Sequence, residues 1–410
     1  MTDMLKDDLI AAGLSRIAWA GRSMPNVSAA IKRLADGGGV KGKRIGVSLV
    51  LEPKTANLVL GLRDAGATMS VYAPADSTDA ATIAALRSEG VTVFSDPAAS
   101  ADQDLDMARD FLRTEPQILV DDGASVIRLA HREFPDLVDG MIGAAEETTS
   151  GVRPLRMMVA DGALRLPVIA VNDSPLKYLF DNVYGTGQSC VMALLDVTNL
   201  QIAGRKVLVI GYGWVGKGVA RHAAALGARV TVAELDPIKA LQALHDGHDV
   251  ASIKDAAADC EVVFASTGIA GVLTPAHLNA MPDGVILCTA GGGNFELPMA
   301  YLRTEGEPAT IRTHVEAYAL KTGKSVLVIA GGHCINCAAG EGNPIEIMDL
   351  SLALQAAAIE TLVRDGPNWP AGVYPIDSGI EAQIATERLA AKGASIEPMT
   401  PALEAAMQEW

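Results

Sequence analysis

Apolar and polar positions along this chain switch between a period of two and a helical period, and the switching predicts an α/β protein. Short β-branched runs recur at KRIGVSLV (43–50), TMSVYAP (68–74), VTVF (91–94), QILVDDG (117–123) and LPVIAVNDS (166–174). Helically spaced runs separate them at TANLVLGLRDAG (55–66), DAATIAALRSEG (79–90) and DMARDFLRTEP (106–116). Such alternation feeds a parallel sheet with helices packed on its faces. A second series of strands follows: KVLVIG, ARVTVAE, VVFAST (262–267), GVILCTA (284–290) and SVLVIAGG (325–332). The helix CVMALLDVTNL (190–200) leads into it, and the long apolar helix after Pro344 leads out, back towards the first unit. The predicted fold is therefore two Rossmann-like α/β domains with parallel sheets and a small C-terminal tail. The expected boundaries are 1–187, 188–343 and 344–410, the last holding the crossover helix and the tail.

The segment VIGYGWVGKGV (209–219) adds chemistry to this pattern. Gly211, Gly213 and Gly216 form G-x-G-x-x-G between a strand and a helix, and Glu234 ends the next strand, 23 residues after Gly211. Gly211 permits the tight turn, Gly213 the approach of backbone to a pyrophosphate, and Gly216 the close helix–strand contact. Unpaired N–H groups at the helix start hold phosphates. A carboxylate at Glu234 accepts both ribose hydroxyls of NAD and repels a 2′-phosphate. The reading is an NAD site.

Composition narrows the partners. At 410 residues the chain exceeds one ordinary core. A net charge of −16 argues against nucleic acid and anionic membranes. The opening MTDMLKDDLI is charged and has no secretion signal, so a cytoplasmic location is expected. The five cysteines form no disulfide framework, although Cys334 and Cys337 make a C-x-x-C after His333. That motif reads as a redox pair, as part of a metal site, or as packing at a strand end. No convincing metal-ligand cluster is expected.

Two further stretches carry candidate chemistry. The strand QILVDDG ends in two carboxylates where a sheet opens, and PLKYLFDNVYGTGQS (175–189) is a polar stretch before the second domain. With EETTSG (146–151), VNDSPLKYLFDNVYG (171–185), GYGWVGKG (211–218), AELDPIKALQA (233–243) and the run from Asn336 through NPIEIMDL, they resemble the S-adenosyl-L-homocysteine hydrolase family over essentially the whole chain. The resemblance implies a substrate domain, an NAD domain and a C-terminal tail, assembled as a homo-oligomer, usually a tetramer. It implies an internal redox cycle: a ribose 3′-hydroxyl is oxidised, homocysteine is eliminated, water adds, and the ketone is reduced. By position, Thr148, Thr149, Ser150, Asn182, Gly213, Val215, Glu234, Thr267 and Asn336 match family residues at NAD. Lys177 and Asp181 match the pair beside the oxidised hydroxyl, and Asp122 and Glu147 match carboxylates at the sugar.

Bland readings stand beside these. Lys177 and Asp181 are four apart, the spacing of a surface ion pair on a helix. Asp-Asp-Gly is a common turn, and Glu147 suits a helix start. A lysine beside an aspartate relays a hydroxyl proton only if burial and pairing tune its pKa.

Departures from the family concentrate in the substrate pocket. In SLVLEPKT (48–55), Val50, Glu52 and Lys54 stand where the family has histidine, threonine and glutamate. Glu52 and Lys54 form either a buried pair receptive to a polar group or two solvated charges. The S-T-Q-D stretch becomes DSTD (76–79), a loop histidine becomes Gly292 within TAGGGN, and another before the late proline becomes Asn343. His333 stands where an arginine is expected, and the tail MTPALEAAMQEW lacks the lysine and tyrosine that reach a neighbour's NAD. Three readings follow: a nucleoside thioether hydrolase, an NAD enzyme redirected to another polar substrate, or a non-catalytic NAD-binding relative.

Overall fold

The computed structural model describes residues 3–291 and 295–409. Gly292 lies outside the described residues. Six strands come first: β1 (Arg44–Ser48), β2 (Thr68–Tyr72), β3 (Thr92–Phe94), β4 (Ile118–Asp121), β5 (Gly143–Glu146) and β6 (Pro167–Ala170). Eight follow: β7 (Lys206–Ile210), β8 (Arg229–Ala233), β9 (Asp249–Val250), β10 (Val262–Ala265), β11 (Val285–Thr289), β12 (Ala309–Arg312), β13 (Val315–Ala319) and β14 (Ser325–Ile329). The last, β15 (Gly372–Tyr374), returns to the first sheet. The orders are β15-β6-β5-β4-β1-β2-β3 and β12-β13-β14-β11-β10-β7-β8-β9.

The first sheet is parallel throughout. In the second, β14 is parallel to β11, whereas β13 runs antiparallel to both β12 and β14; the β12–β13 hairpin is an addition to the parallel sheet that the apolar pattern does not predict. Strand β5, Gly-Ala-Ala-Glu, was not anticipated either. It has no β-branched residue, and its place between β4 and β6 makes it a strand. The helices Asp3–Gly21 and Pro25–Gly37 also precede the first predicted element.

Both sheets reverse direction of winding at one point, β1/β4 in the first and β7/β10 in the second. Crevices open beyond the strand ends at such switch points. Glu52 and Lys54 stand at the start of the helix Pro53–Asp64 that follows β1, and Asp122 follows β4. Gly211 follows β7, and Thr267 lies just past β10.

The polar stretch 175–189 is helical. A short turn, Pro175–Lys177, continues into a wide π-type helix, Tyr178–Thr186, and then into the helix Gly187–Thr198. The wider winding leaves room for buried Asp181 and Asn182 on its inner side. This continuous segment packs on the glycine-motif helix Trp214–Ala225 with almost no side chain between them. A Cβ at Gly218 would lie 2.2 Å from the Val183 carbonyl oxygen. Tyr178 stacks on Trp214 at 4.7 Å, and Lys217 caps that ring at 4.7 Å.

The return helix Ile345–Asp365 is buried along most of its length. Leu352, Leu354, Ile359 and Leu362 share one core with Ile45, Val47 and Val120. The first sheet is thus completed by the C-terminal segment. Beyond it, the helix Ser378–Ala391 buries Ile384, while the helix Pro401–Gln408 leaves Leu403 and Met407 exposed. Among the described residues, no helix is long and apolar enough to cross a membrane.

Gly218→Ala should cost about 1–3 kcal/mol, because its methyl must displace the Val183 backbone. Urea unfolding would check this; an unchanged midpoint would contradict the close contact.

Candidate functional site

Lys177 is the centre of the first crevice. Its ammonium donates to Asp181 Oδ2 at 2.6 Å and to Asn182 Oδ1 at 3.0 Å, and lies 3.7 Å from Glu147 Oε1. The Lys177 and Asp181 side chains are only 3% and 10% exposed. The surface-pair reading therefore fails. Burial pulls the lysine pKa down, but Asp181 and Glu147 outweigh it and push it up to about 12. Lys177 is a fixed cation, so it donates a proton in a hydrogen bond and does not remove one.

The carboxylates around it are perturbed the other way. Burial, only partly offset by Lys177, pushes Glu147 up to about 7. Burial also raises Asp122, again opposed by Lys177. Ser351 and Gln355 of the return helix both donate to Glu147. These two polar residues, four apart in an apolar helix, were a legible signal that sequence reasoning passed over.

The other two acids at these strand ends are architectural. Asp121 Oδ2 accepts the Val126 and Ile127 N–H groups at 2.9 and 2.8 Å, starting the next helix. Glu146 accepts from Gly123 N and Ala124 N at 2.8 and 2.9 Å and from the Thr148 hydroxyl at 2.8 Å. Gly123, with φ of 80°, lets the chain turn there. Asp121 and Glu146 thus fix the turn that carries Asp122. Ser150 approaches Thr148 Oγ1 at 3.1 Å, and Thr149 donates to Asn172 at 2.9 Å, both within the first unit.

A polar chain joins this cluster to the second unit. Asn343 Nδ2 donates to Asp181 Oδ1 at 2.6 Å and to Thr186 at 3.1 Å. Asn343 Oδ1 accepts from Ser189 at 2.8 Å and from Asn336 Nδ2 at 2.9 Å. Asn343, read from sequence only as a departure, is therefore a link in the site. Asn336 is buried in the same network as Asn182's lysine partner.

Glu52 and Lys54 are buried together and form an ion pair, so the solvated reading also fails. Lys54 donates to the Glu341 carbonyl at 2.6 Å, across the cleft. Burial, offset by Lys54, pushes Glu52 up to about 7. The DSTD stretch faces the same cleft: Asp76 meets His333 at 2.5 Å, and Asp79 meets Arg16 at 2.9 Å. Arg16 also reaches Glu341 at 3.3 Å. His333 thus holds the two units together where an arginine was expected, and Asp76 raises its pKa.

The second crevice has the shape a dinucleotide needs. Gly211 has φ of 93°, and a Cβ at Gly216 would lie 2.0 Å from the Gly211 carbonyl oxygen. A Cβ at Gly213 would meet nothing within 4 Å, so the backbone there faces open space. Val215 lies in the first turn of the helix. Glu234 accepts Tyr212 N at 2.7 Å, Leu235 N at 2.7 Å and Asp236 N at 3.0 Å. Burial opposes its charge, but these N–H groups outweigh it and hold its pKa below the ordinary value. Thr267 is oriented by Glu296, which accepts its N–H at 2.7 Å and its hydroxyl at 2.9 Å. Glu296 was not anticipated; it lies just past the glycine loop, where no periodic signal points to it. Among the described residues, no cluster has metal-holding geometry.

The comparisons with known proteins agree with this geometry. Residues 4–135 match the family described as S-adenosyl-L-homocysteine hydrolase, and residues 182–342 match its NAD binding domain. The chain belongs to the S-adenosyl-L-homocysteine hydrolase family. It is an adenosylhomocysteinase-like, NAD-dependent enzyme. It is 41% identical to S-inosyl-L-homocysteine hydrolase of Methanopyrus kandleri, over 98% of this chain and 96% of that protein. It is 40% identical to adenosylhomocysteinase of Pyrococcus abyssi, over 98% of this chain and 96% of that protein. With adenosylhomocysteinase of Thermotoga maritima it shares 38% identity, over 97% and 99% of the two chains.

A buried carboxyl with a raised pKa makes stability depend on pH. Below about 4.5, the ordinary value of a glutamate, the folded and unfolded states both hold the Glu147 proton. As pH rises towards about 7 the unfolded state releases it first, so the group's contribution to stability is lost through that window. The parent should therefore lose stability relative to Glu147→Gln between those limits in urea unfolding. A difference that does not vary with pH would contradict the burial argument.

Proposed function

We propose that the enzyme hydrolyses, and in reverse forms, an S-purine-nucleosyl-L-homocysteine through transient oxidation of a ribose hydroxyl. One observation carries the reading: the buried Lys177 ammonium lies between Asp181 and Glu147, with Asp122 beside it. The backbone groups of Gly211, Gly213, Val215 and Gly216 would hold the NAD pyrophosphate, and Glu234 its adenosine ribose. Asn182, Thr148, Thr149, Ser150, Thr267 and Asn336 would line its nicotinamide half. Bound there, NAD supplies a reversible hydride acceptor.

The chain's own groups then divide the proton work. Lys177 has three N–H donors, and Asp181 and Asn182 take two. The third is free for the ribose oxygen and stabilises negative charge as its proton leaves. Glu147, with a pKa of about 7, is matched to accept that proton at neutral pH. Asp122, also raised by burial, is the group for the acidified carbon next to the new carbonyl. Asp181 orients the ammonium.

The Glu52–Lys54 pair supports a purine substituted at position six. Such a ring presents a donor and an acceptor side by side, N6–H and N1 in adenine, or N1–H and O6 in hypoxanthine. A carboxylate beside an ammonium complements either edge. Both kinds of nucleoside stand in the names of the relatives. Val50 and Asn343 favour a second reading, the same redox step on a different polar thioether, because two family histidines are replaced there. The exposed Leu403 and Met407 of the tail support a homo-oligomer.

Incubating the holoenzyme with S-adenosyl-L-homocysteine and, separately, its inosyl counterpart should release homocysteine and reduce bound NAD transiently. Absence of both signals with both thioethers, while NAD stays bound, would sink the first reading. Lys177→Met should lower the rate of NAD reduction by about 10²–10³-fold, the usual cost of one stabilising donor. Equal turnover in that variant would remove the lysine from the mechanism. Glu234→Ala should shift cofactor choice towards NADP at least about tenfold, by removing repulsion of the 2′-phosphate. Competition between the two dinucleotides for apoenzyme would check it.

A further inference from the structure

Cys334 and Cys337 are unlike the other three cysteines. Cys190, Cys260 and Cys288 are buried, whereas these two are half-buried at the cleft between the units. They flank Asn336, and both thiols point at the same atom. Cys334 Sγ donates to Asn336 Oδ1 at 2.9 Å, and Cys337 Sγ approaches it at 3.6 Å. The Cys337 N–H also donates to the Cys334 carbonyl at 3.2 Å, which closes a single turn. Side chains three apart on such a turn have Cβ atoms about 5–6 Å apart. A small movement of a four-residue turn brings them within disulfide range.

We propose that Cys334 and Cys337 are a reversible disulfide site, in which a low-molecular-weight disulfide oxidises the pair and disconnects Asn336 from the Lys177–Asp181 cluster. One thiolate attacks the small disulfide, forms a mixed disulfide and releases one small thiol. The second cysteine gives up its proton and displaces the other small thiol, which takes that proton. Two protein S–H bonds and one small-molecule S–S bond are consumed. One protein S–S bond and two small thiols are formed.

The consequence follows from hydrogen bonding. Asn336 is 3% exposed, and its Oδ1 accepts from both thiols. Its Nδ2 donates to Ser189 and Asn343, and Asn343 donates to Asp181, which holds Lys177. A disulfide has no S–H to donate. Oxidation leaves a buried amide oxygen without these donors, and the amide must turn to find another. Turning it breaks the bonds that hold Asn343 against Asp181. Neighbouring thiols push both cysteines well above the ordinary pKa, Cys190 acting on Cys334 and Cys334 on Cys337. Thiolate is scarce at neutral pH, so the exchange is slow and must be brought to equilibrium.

The rate effect rests on the proposed redox reaction; formation of the disulfide does not. Holoenzyme is equilibrated in glutathione buffers of rising disulfide content, alkylated, and mapped by mass spectrometry. NAD release and thioether-driven NAD reduction are measured on the same samples. The expected result is a Cys334–Cys337 cross-link, faster NAD release, and an about tenfold fall in NAD reduction, all reversed by dithiothreitol. Cys337→Ser should show none of these responses to oxidant. Two free thiols at the highest disulfide content would overturn the proposal. So would a cross-link that changes neither measurement, or a Cys337→Ser variant inhibited as strongly as the parent. If the reduced enzyme transfers no hydride from any thioether, the proposed reaction has failed. The cross-link and the NAD release rate then still decide the dithiol.

Discussion

One ammonium among several buried carboxyl groups is the constraint on which the first crevice depends. Removing Lys177, Asp181, Glu147 and Asp122 from water is costly, and a single cation cannot neutralise three acids. The structure resolves this by giving the groups different protonation behaviour. Asp181 makes the short contact and holds the lysine charged. Burial pushes Glu147 up to about 7, and Asp122 is raised in the same direction. A carboxyl poised near neutrality beside a fixed positive charge can take up or release a proton within the crevice.

The acids at the strand ends show how position separates building from chemistry. Asp121 and Asp122 are adjacent, yet one spends its oxygens on helix N–H groups and the other faces the lysine cluster. Glu146 and Glu147 divide in the same way, one binding the turn and the other meeting the return helix. In each pair the first acid ends its strand and the second lies just beyond it, where the chain leaves the sheet. The first acid of each pair organises the loop, and the second faces the Lys177 cluster.

Much of this was readable before any coordinates. The strands around Gly211 and Glu234 were legible because turn, helix and acid occur at spacings set by the shape of a dinucleotide. The first sheet was legible except at β15, a three-residue strand too short to show a period, and at β5, where four small or polar residues give no β signal and only the neighbours impose a strand. The segment 175–189 could be read only as a polar stretch, because a π-type helix with buried Asp181 and Asn182 breaks the usual apolar period. Lys177 and Asp181 could be located but not resolved as buried, since four-residue spacing is equally common at a surface. The four-residue spacing of Ser351 and Gln355 was visible, but what they meet was not: their partner Glu147, like Asn343's partner Asp181, lies over a hundred residues away, and no local period reports such pairs.

The return of the chain through Ile345–Asp365 and β15 has a consequence for how the molecule is made. The cofactor-binding half is one continuous stretch and can close as soon as it leaves the ribosome. The other half, begun first, has a gap in its core until Leu352–Leu362 arrives, and an open sheet edge until β15 pairs with β6. Synthesis therefore leaves the earliest residues waiting longest, with exposed strands in need of shelter, until nearly the whole polypeptide has been translated.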